Sequence, residues 1–318
     1  MPDNYDLRGK RVWVSGHQGL VGTATVRRLE SEDCEIITVT RDELDQRNQA
    51  DVDAWFVKNK PDAVILAAAT VGGIYANSTE PANFIYDNLA IGTNVIHAAY
   101  KTGVEKFLFL GSACIYPANA RQPMAEDALL TGLPDPTNEW YAVAKIAGIK
   151  MCQAYRRQYG CNFISAQPNN LYGPGDNFDL TSSHVIPALI VKAHEAKAEQ
   201  KSLNVWGSGN PKREFLYVDD LADALVFLMK HYSSSPQINI GTGEELTIRE
   251  LAETIARVVG FSGHLEFDVK KPDGPPRKLL DTSLINSLGW FAKTRLEDGL
   301  KITYNFYQES RAKDNVTI

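Results

Sequence analysis

Cysteine is scarce in this chain, and none of it is paired. Of 318 residues only 4 are Cys (Cys34, Cys114, Cys152 and Cys161). They form no Cys-x-x-Cys and lie in no His-rich ligand spacing. That excludes a disulfide scaffold and a structural metal knot, and it points to a reducing cytoplasm. No apolar run reaches the roughly 18 residues of a membrane span. The first ten residues hold no apolar core, so no secretory leader is expected. Positive charge is in deficit: 33 Lys and Arg against 39 Asp and Glu give a net charge of -6. This weighs against nucleic acid as a partner. Internal repeats and low-complexity segments are lacking too. What remains is 44% hydrophobic content, enough for a sizeable core in one large domain or two.

The stretch Tyr141-Ala-Val-Ala-Lys145 is the only Tyr-x-x-x-Lys in the chain. It lies in a run of good helix formers, with Asn138 placed to cap it. Four residues on a helix put both side chains on one face. An ammonium beside a phenol is expected to lower the Tyr141 pKa and to fit it for proton transfer to a substrate oxygen.

Earlier in the chain, Arg11–Ser15 reads as a buried strand, and Gly16-His-Gln-Gly19-Leu20-Val21-Gly22 follows it directly. Residues 23–30 then read as a helix. Strand, glycine turn and helix are the context of a dinucleotide fingerprint: the glycines admit the diphosphate and the helix N-terminus attracts it. A second strand is expected over 35–40. Arg41 after it favours the 2′-phosphate of NADP over the ribose of NAD. Residues 62–70 form an apolar run ending in small residues, Ala68 among them, that should lie against the cofactor. A helix over 83–100 and a strand over 107–112 follow, leading into Ser112-Ala-Cys114. Ligands of open α/β sheets sit beyond the carboxyl ends of such strands. Strands alternating with helices predict a doubly wound parallel sheet of Rossmann type.

The second half is less regular. A strand at 162–166 runs into a Pro-, Gly- and Asn-rich loop that includes Asn170. His184 opens a helix. Thr247 and Glu250 spell a capping box. Arg277 and Lys278 lie in a basic loop that begins at Lys271. With Arg213 they are expected to hold a diphosphate near Trp206.

Gly-His-Gln-Gly-Leu-Val-Gly, Gly-Ser-Ala-Cys-Ile-Tyr-Pro, Tyr-Ala-Val-Ala-Lys, Asn-Leu-Tyr-Gly-Pro, Ser-His-Val-Ile-Pro and Val-Trp-Gly-Ser-Gly resemble GDP-L-fucose synthases of the extended short-chain dehydrogenase/reductase superfamily. The resemblance spans about residues 10–300. It implies 3,5-epimerisation and then NADPH-dependent 4-reduction of GDP-4-keto-6-deoxy-D-mannose. It assigns Ser112, Tyr141 and Lys145 to reduction, and Cys114 and His184 to epimerisation. It implies cofactor contacts at Gly16, Gly19, Leu20, Val21, Gly22, Arg41, Ala68, Lys145 and His184. Substrate contacts follow at Asn170, Lys192, Trp206, Arg213, Arg277 and Lys278, and no metal is called for. It further implies a homodimer. Residues 1–170, with a return over about 215–245, would hold NADP, and 171–318 mainly the GDP-sugar. Three positions depart from the family pattern: Gln18 and Lys192 where Arg is common, and Ala113 where Ser is frequent. Ala113 raises the alternative of a related GDP-deoxy or GDP-heptose sugar, as in colitose-type pathways. A non-catalytic cofactor-binding protein is the third reading, opposed by the intact set of five site residues.

Overall fold

The structure is a computed structural model that describes residues 4–271 and 273–314. The first half alternates β1 (Arg11–Ser15), α1 (Leu20–Leu29), β2 (Glu35–Ile37), α2 (Gln49–Asn59), β3 (Ala63–Leu66), α3 (Ile74–Thr79), α4 (Pro81–Lys101), β4 (Lys106–Leu110), α5 (Glu139–Tyr159) and β5 (Phe163–Pro168). The second half contains β6 (Asn170–Tyr172), α6 (Val185–Glu199), β7 (Leu203–Trp206), β8 (Lys212–Arg213), β9 (Phe215–Tyr217), α7 (Val218–His231), β10 (Ile238–Ile240), β11 (Leu246–Thr247), α8 (Ile248–Val259), β12 (Leu265–Asp268), β13 (Arg277–Lys278), α9 (Ser283–Ser287) and α10 (Leu296–Asp314). Six strands form one sheet in the order β10-β5-β4-β3-β1-β2, and every ladder in it is parallel. This is the doubly wound, Rossmann-type sheet that the alternation predicted. The strand order reverses between β1 and β3, where such sheets bind their ligands.

Side chains alternate across a strand, and here both faces are covered. Val12, Val14, Leu108, Leu110, Ile164 and Ala166 pack with Leu221, Leu225 and Leu228 of α7. Trp13, Val64, Phe107, Phe109 and Phe163 pack on the other side with Phe56 of α2, Ile96 of α4 and Ile149 of α5. Burial on both faces is why these strands read as unbroken apolar runs. Helix α5 approaches the sheet closely: a Cβ added to Gly148 would lie 2.2 Å from the Phe109 ring. That contact fixes where Tyr141 and Lys145 stand.

A separate core lies outside the sheet. Tyr172, Ile190, Val205, Phe215, Tyr217, Ile255 and Leu300 bring together β6, β7, β9, α6, α8 and α10. The strands here are short and pair as β6–β9, β7–β12 and β11–β8–β13. Helix α8 begins with the expected capping box: Thr247 Oγ1 accepts from Glu250 N at 3.1 Å, and Glu250 Oε2 accepts from Thr247 N at 2.8 Å.

Three local expectations change. Strand β2 ends at Ile37, because Thr40 N and Oγ1 both donate to Glu43 Oε2 and turn the chain early. The loop expected after residue 166 is largely strand, with β5 running to Pro168 and β6 pairing with β9. Asn138 occupies the N-cap of α5, but its side chain makes no capping bond, and its buried Oδ1 has no partner.

Candidate active site

Gly16 turns the chain at φ +79°, in the left-handed region glycine favours. An added Cβ there would meet the Ala68 backbone at 2.8 Å, and one on Gly22 would lie 2.0 Å from the Gly16 carbonyl oxygen. The glycines thus let α1 start hard against the ends of β1 and β3. Gly19 N donates to Gly16 O at 3.0 Å. Gly19 caps α1 without a side chain, and no acidic residue lies in the first turn. Leu20 and Val21 open the helix. Free amides and the positive end of a helix dipole at a bare glycine turn suit a dinucleotide diphosphate. Arg41 and Gln18 are both exposed.

At the carboxyl end of β4, Ser112 caps a short 3-10 turn, and its Oγ accepts from Cys114 N at 3.3 Å. Ser112 N donates to the buried Gln167 Oε1 at 2.9 Å. Lys278 Nζ donates to Cys114 Sγ at 3.2 Å. Burial alone would push the Cys114 thiol up, but the Lys278 ammonium, with hydrogen bonds from Ser112 and Lys278, brings it below its ordinary value. Tyr141 is close enough that burial and then the Cys114 charge drive its hydroxyl well up. His184 precedes α6 at its N-cap. The residue is exposed, yet surrounding protein atoms desolvate its ring, and that desolvation and then the Lys278 charge depress its pKa.

Lys145 does not act on Tyr141 as expected. Its Nζ lies 5.6 Å from the centre of the Tyr141 ring and donates to the Leu110 carbonyl at 2.8 Å. Burial lowers Lys145 to about 7. A buried lysine near neutrality cannot offset the desolvation of the phenol, so Tyr141 stays protonated. That is the state a proton donor needs.

A second constellation surrounds Trp206, which is 56% exposed. Lys192 Nζ and Lys271 Nζ lie 4.6 and 4.9 Å from the centre of its rings. Arg213 is held by its Nη1–Lys212 carbonyl bond of 2.7 Å, and burial lowers its pKa despite Asp135 and Asp273 nearby.

Two expected substrate cations part company. Side chains alternate along β13, so Arg277 and Lys278 point opposite ways. Arg277 Nε pairs with Glu245 Oε2 at 2.7 Å at the surface, while Lys278 turns in to Cys114. Neither joins the cations at Trp206. Asn170 is also committed, its Nδ2 donating to the Glu214 carbonyl at 2.9 Å. Ala113, read as a possible substrate determinant, is 2% exposed and packs in the core beneath the turn.

Sequence reading missed Lys271 and Glu214. Lys271 lay in the basic loop but was not singled out. Glu214 is fully buried and accepts from Asn169 Nδ2, Gly243 N and Leu280 N. A carboxylate between Arg213 and the apolar Phe-Leu-Tyr-Val run was its signal, since carboxylates are rarely buried without partners.

The sequence model of the NAD dependent epimerase/dehydratase family matches residues 12–241. A GDP-L-fucose synthase of Sinorhizobium fredii (strain NBRC 101917 / NGR234) is 60% identical over 98% of this chain and 99% of that protein. A GDP-L-colitose synthase of Yersinia pseudotuberculosis is 37% identical over 96% of this chain and 100% of its own. Among solved structures, a GDP-L-fucose synthetase from Naegleria fowleri bound to NADP superposes with a TM-score of 0.92. It is 30% identical and covers 98% of this chain and 97% of its own. The cradle, the Ser-Cys-Tyr-Lys cluster and these likenesses agree: the chain belongs to the NAD dependent epimerase/dehydratase family, among its GDP-L-fucose synthases.

Proposed function

We propose that this protein converts GDP-4-keto-6-deoxy-D-mannose to GDP-L-fucose by 3,5-epimerisation and then 4-reduction in one site. The observation that carries this reading is the meeting of Ser112, Cys114 and Tyr141, with the thiol tuned toward thiolate and the phenol held protonated. The 4-keto group acidifies the protons on carbons 3 and 5. Cys114 removes each proton, and the electron pair passes to the keto oxygen, where the Ser112 and Tyr141 hydroxyls stabilise it. His184 returns a proton on the opposite face. Its depressed pKa makes the imidazolium a stronger but scarcer acid at neutral pH. NADPH, when bound, supplies hydride to carbon 4. Tyr141 gives its proton to the carbon-4 oxygen, and Lys145 would hold the nicotinamide ribose.

Gly16, Gly19, Leu20, Val21, Gly22 and Ala68 would cradle the dinucleotide, with Arg41 on the 2′-phosphate. Trp206 would stack on guanine, and Lys192, Lys271 and Arg213 would neutralise the diphosphate. In this reading residues 1–170 with the return over 215–245 hold cofactor, and the rest holds mainly the GDP-sugar. A homodimer would form through α4 and α5, which carry exposed Tyr86, Trp140, Val143 and Tyr159. Four free thiols suit the cytoplasm. No helix among the described residues is long and apolar enough to cross a membrane. The related-sugar alternative rested on Ala113, and its burial removes that ground.

The test is NADPH oxidation with GDP-4-keto-6-deoxy-D-mannose, with the product identified by chromatography. Turnover to GDP-L-fucose is expected. A folded, NADPH-binding protein that ignores this substrate would overturn the assignment.

A further inference from the structure

Lys278 stands where no phosphate-binding role needs it. Its ammonium touches Cys114 Sγ at 3.2 Å, and its backbone is fastened on both sides. Leu279 N donates to Gln122 Oε1 at 2.8 Å, and Leu280 N to Glu214 Oε2 at 3.0 Å. Met124 N donates to the Leu279 carbonyl and Asp281 N to the Met124 carbonyl, each at 2.8 Å. The Lys278 carbonyl accepts from Asn169 Nδ2 at 3.4 Å, and β13 itself is paired to β8. A buried carboxylate, two amide side chains and backbone pairing to β8 and to Met124 therefore hold one lysine at one sulfur. A flexible side chain seeking phosphate needs no such frame. A base that must be charged before substrate arrives does.

We propose that Lys278 is the counter-ion of Cys114, holding its sulfur as the thiolate that takes protons from the substrate's carbon, and is not a ligand of the diphosphate. This rests on Cys114 acting as the carbon base in the function proposed above. In the step, the C–H bond breaks, its proton passes to sulfur, and its electron pair becomes the enolate. The Lys278 ammonium loses nothing and remains to stabilise the thiolate again once the proton has left.

The groups facing the sulfur bear this out. Ser112 and Lys278 donate to it; the Tyr141 hydroxyl beside it is neutral; Asp135 alone opposes the negative charge, and His184 faces Lys278. The other thiols provide an internal contrast. Burial pushes Cys34, Cys152 and Cys161 up, Cys152 to about 12, with no cation beside any of them. Cys114 alone among the described residues goes the other way.

Iodoacetamide labelling of the full-length enzyme, followed by mass spectrometry for each cysteine from pH 5 to 9, reads the thiolate directly and needs no substrate. In the wild type, Cys114 is expected to label at neutral pH well before the other three. Lys278→Met should slow Cys114 labelling at pH 7 by at least about tenfold, the effect of one pKa unit, and move its profile to higher pH. Lys278→Arg should restore most of it. Deuterium wash-in at carbons 3 and 5 should fall in parallel with labelling, while NADPH binding stays intact. Unchanged Cys114 labelling in Lys278→Met, together with a raised KM for the GDP-sugar, would return Lys278 to the diphosphate. Should the Met variant fail to fold, the wild type still decides: Cys114 labelling no faster than Cys161 at pH 7 overturns the ion pair. A shifted labelling profile in an enzyme inactive on the keto sugar would leave the ion pair standing and sink only the substrate assignment.

Discussion

Arg277 and Lys278 are neighbours in sequence and opposites in space: one pairs with Glu245 at 2.7 Å, the other reaches Cys114 at 3.2 Å. Alternation along their two-residue strand sends one side chain to a surface ion pair and the other to the reacting centre.

Arg277 and Arg213 should therefore answer differently to truncation. Surface ion pairs contribute little, so Arg277→Ala should leave stability and the KM for the GDP-sugar within about twofold of wild type. Arg213→Ala removes a half-buried guanidinium assigned above to the diphosphate and should raise that KM by about tenfold or more, since charge-assisted bonds to phosphate are the strong ones. Steady-state kinetics on both variants decides the matter. Equal effects would mean that the Glu245 pair opens to receive substrate.

Epimerisation and reduction should separate at two neighbouring residues. Tyr141→Phe removes the proton donor and should cut NADPH-linked reduction by roughly 10²–10⁴-fold. Solvent deuterium should still enter carbons 3 and 5. Cys114→Ser should abolish that exchange while NADPH binds as before. Loss of exchange in Tyr141→Phe equal to the loss of reduction would make the tyrosine, and not the thiolate, the shared base.

The sheet and the glycine cradle were legible in the sequence because their signals are local. An apolar run followed at once by spaced glycines and a helix leaves little choice of topology. The small strands were not legible: β8, β11 and β13 have two residues each, too few for any periodicity. Without knowing that 277–278 is a strand, the opposite directions of Arg277 and Lys278 cannot be foreseen. The Tyr141–Lys145 spacing was read correctly as one helix face, but the partner of Lys145 is a carbonyl 35 residues away. Helical spacing says which side chains are neighbours. It does not say which of several neighbours wins the proton donor.

Gly148 tests how tightly that helix is set. Any side chain there must displace the Phe109 ring, because a Cβ would lie 2.2 Å from it. Gly148→Ala should cost about 1–3 kcal/mol through overpacking, even though alanine is the better helix former. The shift lifts α5 from β4 and moves Tyr141 and Lys145 together, so kcat should fall more than KM for the GDP-sugar changes. Urea unfolding and steady-state kinetics measure the two effects. A stabilised variant with full kcat would show that the ring swings aside freely.

Lys145 should also leave a mark on stability against pH. Its folded pKa is lowered to about 7 by burial, against an ordinary value of 10.5. Between those values the unfolded chain binds the proton and the folded chain does not, so this residue makes stability rise with pH. Its cost is full below pH 7 and is relieved as pH climbs toward 10.5. The stability of wild type minus that of Lys145→Met should therefore increase from pH 7 to 9.5. Lys106, lowered to about 7 by burial and then Arg156, shifts the same way but is common to both proteins and cancels. The groups that oppose this trend are the Leu110 carbonyl at 2.8 Å and the Phe109 and Tyr141 rings at 5.0 and 5.6 Å, all of which favour the ammonium. Denaturant unfolding across that range weighs them against desolvation. A flat difference would mean that carbonyl and rings hold Lys145 charged, and the ammonium would then be available to Tyr141 after all.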